Sequence, residues 1–312
     1  MIYSGSFADI NNKIYKVTIS TNSGNQTKSV TLGGSPFVTE MDSDDKIIYC
    51  PVKYQSATVA IISPDYNFDI YSPKAQGTKV ELTEESGKIV WTGYTTPNLY
   101  DMGFVEEREE IEIECIDALS TLKYIKYKTE KKDIVSFLYL IRKLLQNCNA
   151  YKNFYVSNNI QLKKNGTETI LDKLFISEEN FFDKKEDNEV DEDVAWTMQE
   201  VLEEICQYLG LTAVAEGDSV YFLDYDAIKK GKNTYYKYFV DVDSTPSLET
   251  IAFSKTIKAE DYSESGATLS LDNVYNKVSV IADLYTFDSV LPDLFSNLVN
   301  ITKDYDEKIT TP

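Results

Sequence analysis

The chain has 312 residues, 31 lysine and arginine residues against 51 aspartate and glutamate residues, a formal net charge of −20 and no histidine. Without histidine there is no Ser-His-Asp or Cys-His nucleophile, no HExxH metalloprotease motif and no histidine-ligated zinc or haem. The acidity argues against a nucleic-acid partner, because binding of phosphates requires a basic surface. We therefore expect the partner to be a protein or a carbohydrate.

Residues 2–116 have the pattern of β structure throughout. Short runs of β-branched and aromatic residues are separated by Gly, Pro, Asn and Asp turns, which predicts strands. The candidate strands are 14–20, 29–32, 46–50, 57–63, 67–71, 78–82, 88–94 and 110–116. Strands at this spacing usually form a barrel or a sandwich.

The last of these strands has two different faces. Its odd-numbered positions from 111 to 115 are apolar, whereas its even-numbered positions carry Glu110, Glu112 and Glu114. One side of the strand therefore faces water or a charged partner. A solvated face is the plainer interpretation. We take Glu110, Glu112 and Glu114 as the candidate interface residues.

The apolar period then changes from two to 3.6, which predicts helices. Asp133 is expected to cap a first helix, whose apolar residues form one stripe over residues 134–145. Thr197 and Glu200 form a capping box for a second helix with the same stripe. Gly210 stands where the left-handed residue after a helix belongs.

Turns and an acidic run complete this part of the chain. Hairpins are expected around Asn165-Gly166 and around residues 216–218. Together with the two helices they predict a small α+β insertion at residues 118–230. The acidic run 178–193 lacks the sharp-turn glycine of an EF-hand, so a solvated mobile loop is preferred over a calcium site.

After residue 230 the β pattern returns, with candidate strands at 235–240, 249–253, 267–271 and 277–281. Too few strands precede Pro312 to close a second barrel, so the second β-domain is expected to be incomplete as it stands. We predict an α+β, mainly β, fold with a first β-barrel domain at 1–117, the α+β insertion at 118–230 and a second β-domain at 231–312.

The cysteine spacing and the hydropathy pattern exclude further kinds of site and of protein. Cys50, Cys115, Cys148 and Cys206 are scattered and fit no zinc, redox or disulfide framework, so buried free thiols are expected. No apolar run approaches the ~20 residues of a membrane span. We expect no membrane span, no metal and no cofactor.

Several motifs occur in a characteristic order. Residues 67–72 (NFDIYS) are followed by 89–94 (IVWTGY) with 97–100 (PNLY), and then by 111–122 (IEIECIDALSTL). Residues 269–280 (LSLDNVYNKVSV) have a strand-turn-strand pattern. This order resembles the N-terminal region of phage tail-tip and baseplate hub proteins, with 269–280 similar to the opening of their second barrel.

The resemblance implies a non-enzymatic virion structural protein of a phage or prophage. It implies two tail-tube-like β-barrels per subunit in a homotrimer, which joins the tail tube to the tip, with tail-tube and tip proteins as partners. Such a protein is made in the host cytoplasm and then becomes part of the tail. Independently of the resemblance, Asp117 can accept the free N–H groups of the helix start that follows it.

Two other functions compete with this interpretation. A carbohydrate-binding β-module would explain 23 tyrosines and two tryptophans, but Trp91, the best candidate platform, lies in a strand expected to be covered on both sides. A glycosidase would need two carboxylates about 5 to 9 Å apart, and with 51 acids such pairs arise by chance.

Overall fold

The computed structural model describes residues 1–41, 50–63, 65, 67–97, 109–160, 169–187 and 190–252. The strands are β1 (Ile2–Ala8), β2 (Ile14–Ser20), β3 (Thr27–Ser29), β4 (Thr31–Met41), β5 (Val52–Lys53), β6 (Gln55–Ser63), β7 (Lys79–Glu84), β8 (Ile89–Thr95), β9 (Glu109–Asp117), β10 (Ile134–Ser136), β11 (Asn153–Ser157), β12 (Phe175–Ser177), β13 (Phe182–Asp187), β14 (Val190–Ala195), β15 (Thr212–Glu216), β16 (Ser219–Leu223), β17 (Thr234–Phe239) and β18 (Ser247–Thr250). The α-helices are α1 (Phe137–Asn147), α2 (Met198–Leu209) and α3 (Tyr225–Lys229). Short 3₁₀ helices lie at Phe68–Ile70, Leu119–Tyr124, Asn158–Ile160, Ile170–Asp172 and Glu178–Phe181. The fold is mainly β with a few helices, in open mixed sheets.

An eight-stranded sheet occupies the first part of the chain, in the order β3-β1-β2-β7-β8-β9-β6-β4. Its two edge strands, β3 and β4, belong to one continuous stretch that is joined by Val30. The Val30 N–H donates to the carbonyl of Ser4 in β1 at 3.0 Å. No closed barrel is detected in the described part of the chain. The barrel predicted for residues 1–117 is thus present as an open sheet.

The buried face of this sheet explains why the strands alternate. Apolar side chains from β1, β2, β6, β7, β8 and β9 point to the same side and form one hydrophobic cluster, which includes Val17, Val59, Val80, Trp91 and Ile113. Phe37 of β4 packs its ring edge-on against Trp91, at 5.5 Å between centroids.

The second large sheet has six strands, in the order β18-β17-β11-β16-β15-β5. The apolar stripes of α1 and α2 pack with one face of this sheet in a second hydrophobic cluster. Phe154 of β11 stacks on Tyr238 of β17, with centroids 4.9 Å apart. The two helices therefore cover the sheet, as their stripes predicted.

The two sheets are joined where β5 leads into β6. Only Tyr54 separates these strands, so the chain passes from the six-stranded sheet directly into the eight-stranded one. The Tyr54 hydroxyl donates to Glu203 of α2 at 2.8 Å. The Gln55 side-chain amide donates to the carbonyl of Ala215 at 2.9 Å, which ties β6 to β15.

Several predicted elements differ from the observed ones. The strand predicted at 67–71 is the 3₁₀ helix Phe68–Ile70, because Asn67 adopts a left-handed backbone conformation (φ 43°) and donates to Ser63 and Asp65. The acidic run 178–193, predicted to be a mobile loop, contains a 3₁₀ helix and the β13–β14 hairpin. Strand β1 was not predicted.

Other predictions lie partly or wholly outside the described residues: the hairpin at Asn165-Gly166, most of the strand 46–50 and the strands at 267–271 and 277–281. Strands β17 and β18, from the predicted second β-domain, pair in the same sheet as the predicted insertion. The three-domain division stays a prediction.

The four cysteines are free, with Cys50 half-buried and the other three buried. No described helix is long and apolar enough to cross a membrane.

Candidate functional site

Strand β9 carries the three predicted interface residues, and the structure places them on one exposed face. Glu110, Glu112 and Glu114 are exposed, whereas Ile111 and Ile113 are buried in the core of the eight-stranded sheet. β9 pairs with β6 along most of its length and with β8 at its end. The predicted alternation of the two faces is therefore confirmed, whereas an interface on the acidic face stays a prediction.

Glu110 also supports the bulge in the edge strand β4. Its Oε2 accepts a hydrogen bond at 3.1 Å from the N–H of Gly34. A side chain at Gly33 would have its Cβ 2.5 Å from the same carboxylate oxygen. The register between β4 and β6 shifts between Leu32 and Phe37. Glycine at position 33 thus lets the Glu110 carboxylate lie across the bulge.

Glu112 and Glu114 lie opposite Ala60 and Thr58 of β6, respectively. Thr58 is paired in turn with Val38 of β4, a side chain that is 43% exposed. The acidic face therefore has exposed apolar surface beside its carboxylates.

Asp117 ends β9 and contacts both the neighbouring strand β6 and the 3₁₀ helix that follows it. It is 1% exposed, and its Oδ1 accepts from the backbone N–H of Ser120 at 2.7 Å and from the Ser120 hydroxyl at 2.6 Å. Its Oδ2 accepts from the backbone N–H of Gln55 at 3.0 Å. The sequence predicted the first of these roles, the support of the helix start. The contact with Gln55 is one that sequence reasoning missed.

A second polar cluster was not anticipated from the sequence. The carboxylate of Glu178, with a side chain 3% exposed, accepts hydrogen bonds from Tyr127 (2.5 Å), Thr129 (2.6 Å) and Lys143 (2.9 Å). The backbone N–H of Asp133 donates to it at 3.1 Å. The Lys143 ammonium lies 4.1 Å from the centroid of the Tyr127 ring. We call these five residues the Glu178 cluster.

The electrostatics of this cluster keep the carboxylate charged. Burial by itself would raise the pKa of Glu178, but the hydrogen bonds from Thr129, Tyr127 and Lys143 and the charge of Lys143 outweigh it, so the pKa is lowered. Burial and the hydrogen bond to Glu178 raise the pKa of Tyr127. The cluster joins α1 to the segments before β10 and after β12. Its geometry is that of a structural anchor.

No group of three or more His, Cys, Asp or Glu side chains in the described ranges is arranged to hold a metal ion. Trp91, the platform considered for a sugar, is 4% exposed and packs in the core of the eight-stranded sheet. Its indole ring is therefore not available for stacking on a ligand, as the covered strand predicted.

Comparisons with known proteins include a distant structural likeness. No family model matches the chain, and no curated protein matches it. Among solved structures, it is similar to the tail protein from Neisseria meningitidis MC58, with 17% sequence identity and a TM-score of 0.32. The match covers 63% of this chain and 50% of that chain, so it spans half the length of the tail protein. A likeness this distant carries no argument about function.

Proposed function

We propose that this protein is a structural, non-enzymatic subunit of a phage-like tail, a hub at the tail tip or baseplate that connects the tail tube to the tip. The observation that carries the proposal is the packing of two of the motifs on which the hub resemblance rests. The Trp-x-Gly strand is β8, the alternating strand is β9, and the two pair with each other at Gly93 and Asp117.

Gly93 shows why the motif has a glycine at this point. A Cβ there would lie 2.1 Å from the carbonyl oxygen of Ile116 and 2.5 Å from the ring of Trp91. The glycine therefore lets Trp91 and the end of β9 occupy the same small space. The motif residues form one packing unit at the junction of the sheets, which supports their use as a family signature.

The shape of the eight-stranded sheet supports a tube-like arrangement in the assembled hub. One continuous stretch, Thr27–Met41, supplies both edges of the sheet, β3 beside β1 and β4 beside β6. Val30, which joins β3 to β4, is hydrogen-bonded to β1. We infer that this adjacency of the two edge strands along the chain lets the open sheet curve into the tail-tube-like barrel of the proposed hub. The proposed homotrimer rests on the resemblance to hub proteins.

The test of this proposal is the oligomeric state of the full-length protein. Light scattering coupled to gel filtration at micromolar concentration is expected to give three chains per particle, and electron micrographs are expected to show rings. A stable monomer or dimer without rings contradicts the hub.

The acidic face is tested in the same experiment. We propose that the acidic face of β9 contacts basic side chains of a neighbouring subunit. The double variant Glu112→Lys and Glu114→Lys is therefore expected to weaken trimer formation by about tenfold or more at low salt, because it places lysines against those basic side chains. The matched control Glu216→Lys with Asp226→Lys makes the same charge change at exposed positions on β15 and α3. If the first variant forms trimers as well as the control, the hub remains and the interface is elsewhere.

A further inference from the structure

A groove of about 460 Å³ runs along the solvent side of α1. One wall is a row formed by Ser136, the residue before α1, and by Tyr139, Arg142 and Gln146 of α1. The opposite wall is formed by Asp172 and by residues of the segment from Val240 to Asp243. Gln146 fixes that segment, since its side-chain amide donates to the carbonyl of Val240 at 3.0 Å. The row spans ten residues of helix, about 15 Å, which matches four or five residues of an extended peptide.

Arg142 sets the chemistry of the groove. The chain has 31 cationic side chains, of which only Arg108 and Arg142 are arginine. The Arg142 side chain is 12% exposed, its guanidinium lies 6.0 Å from the centroid of the Tyr238 ring, and its Nη1 donates to Asp243. Its Nε and Nη2 are buried and have no hydrogen-bond partner in the described part of the chain. These two donors lie on one edge of the guanidinium, and together they can donate hydrogen bonds to a carbonyl or carboxylate oxygen.

The charges around this edge favour a cation. The two positive side chains of the groove are already paired, Arg142 with Asp243 and Lys143 with Glu178. The carboxylates of Asp172 and Asp241 add negative charge to the opposite wall, in a chain whose net charge is −20. An anionic ligand would meet this negative wall, whereas a neutral backbone carbonyl with a neighbouring basic side chain fits both groups.

We propose that this groove binds an extended, lysine- or arginine-bearing segment of a partner protein. The basic side chain of the segment pairs with Asp243, a side chain 90% exposed, and with Asp241. Asp243 then releases Nη1, so that the guanidinium can turn and its donors bond a main-chain carbonyl of the segment. Tyr139 and Val242, which are 48% and 56% exposed, supply apolar contact beside it. The proposal does not depend on the tail role.

The probe for the test is a hexapeptide of alternating alanine and lysine, acetylated at its N-terminus and amidated at its C-terminus, with a fluorescent label. Anisotropy gives its affinity for the full chain, and hydrogen–deuterium exchange maps where it binds. Binding is expected to slow exchange in α1 and in residues 240–246. The matched glutamate peptide is expected not to bind.

Variants locate the interaction on the proposed groups. Asp241→Lys changes an exposed side chain and is expected to weaken binding of the lysine peptide about tenfold or more. The control Asp226→Lys, which makes the same charge change on α3, leaves the affinity unchanged. Arg142→Lys keeps the charge but loses the paired donors, and it is expected to weaken binding while the melting temperature shows that the fold is retained.

Five results would overturn the proposal. The first four are absence of binding by the lysine peptide, equal or better binding of the glutamate peptide, protection outside the groove, and an affinity that Asp241→Lys leaves unaltered. Protection of α1 that rises with protein concentration and without peptide would instead identify a second copy of this chain as the occupant, and would also overturn it.

Discussion

Glu178 stays ionised although its side chain is 3% exposed, because four donors surround its two oxygens. Removing a carboxylate from water costs several kcal/mol unless charge and hydrogen bonds compensate it. Here Lys143 supplies the charge and hydroxyls from Tyr127 and Thr129 supply two of the hydrogen bonds. The same contacts that hold the charge also connect three separate segments of the chain.

The pH dependence of stability follows from the sign of this shift. The folded-state pKa of Glu178 is lowered from 4.5, so its contribution is fully present above that unfolded value and is lost as pH falls through the folded one. Glu178→Gln is expected to lower the free energy of unfolding at pH 7 by about 3 kcal/mol, because Lys143 loses its buried partner. Urea unfolding at a series of pH values from about 7 to 3 measures both effects.

The control for this variant is Glu179→Gln, which changes the exposed neighbour on the same 3₁₀ helix. It is expected to leave the stability at pH 7 nearly unchanged. If the two variants are equally stable at pH 7, or if the acid-induced loss of stability is as steep in Glu178→Gln as in the parent, the Glu178 cluster does not anchor these segments.

Residue-level reasoning from sequence succeeded where the partner was local. Asp117 accepts from the N–H of Ser120, three residues ahead, and that role followed from the order of strand and helix. The role of Glu178 could not be predicted, because its donors lie 35 to 51 residues away and it is one of many acids in its segment. The paired state of Arg142, bonded to Asp243 across 101 residues, was hidden for the same reason.

At the scale of elements, the start of α1 shows how pairing overrides a local signal. Asp133 is a good capping residue in sequence, but Ile134–Ser136 forms β10 and pairs with β12. The helix therefore begins three residues later than predicted, and Ser136 caps it by accepting from the N–H of Tyr139 at 3.2 Å. No strand precedes α2 directly in the same way. Thr197 and Glu200 form its capping box and Gly210 is the left-handed residue after it, as the sequence predicted.

This difference gives a direct test of the cap. Ser136→Ala is expected to lower the free energy of unfolding by about 1 kcal/mol, because the first turn of α1 loses a hydrogen-bond acceptor. Asp133→Ala is the matched control and is expected to cost less, since the Asp133 contact with Glu178 is made by its backbone N–H. Urea unfolding of both variants provides the comparison. A larger loss in Asp133→Ala would mean that the helix starts where the sequence alone predicts.

The contrast between local and distant contacts also explains which strands the sequence predicted correctly. Most strands of the first sheet were predicted, because alternation of apolar and polar residues is a local property. The segment 67–71 has strand-like composition. Its Asp69, however, accepts hydrogen bonds from the hydroxyls of Tyr3 in β1 and of Thr21, the residue after β2. These distant contacts select a 3₁₀ turn instead.

At the scale of the whole molecule, the two sheets form separate hydrophobic clusters and meet at a polar junction. There Gln55 of β6 donates its backbone N–H to the Asp117 carboxylate of β9 and its side-chain amide to the carbonyl of Ala215 in β15. The second cluster also contains Val52 and Tyr94 from the first part of the chain, and the boundary predicted near residue 118 stays a prediction. The strand pairing of β5 with β15 could not be predicted, because it spans about half of the chain and involves only two residues of β5.

The turn between β15 and β16 tests whether this junction holds the two sheets together. Gly217 has φ +59°, and a Cβ there would lie 2.4 Å from the carbonyl oxygen of Ile89, the first residue of β8. Gly217→Ala is therefore expected to destabilise the protein in two ways, by about 1 kcal/mol for the left-handed backbone and by a further ~1 kcal/mol or more for the displaced contact. Gly231→Ala is the matched control, because Gly231 has φ +70° and open space around it, so that only the backbone cost applies. Urea unfolding of the two variants isolates the contact between the sheets as the difference between their losses. Equal losses would show that the β15–β16 turn does not pack against β8 in solution.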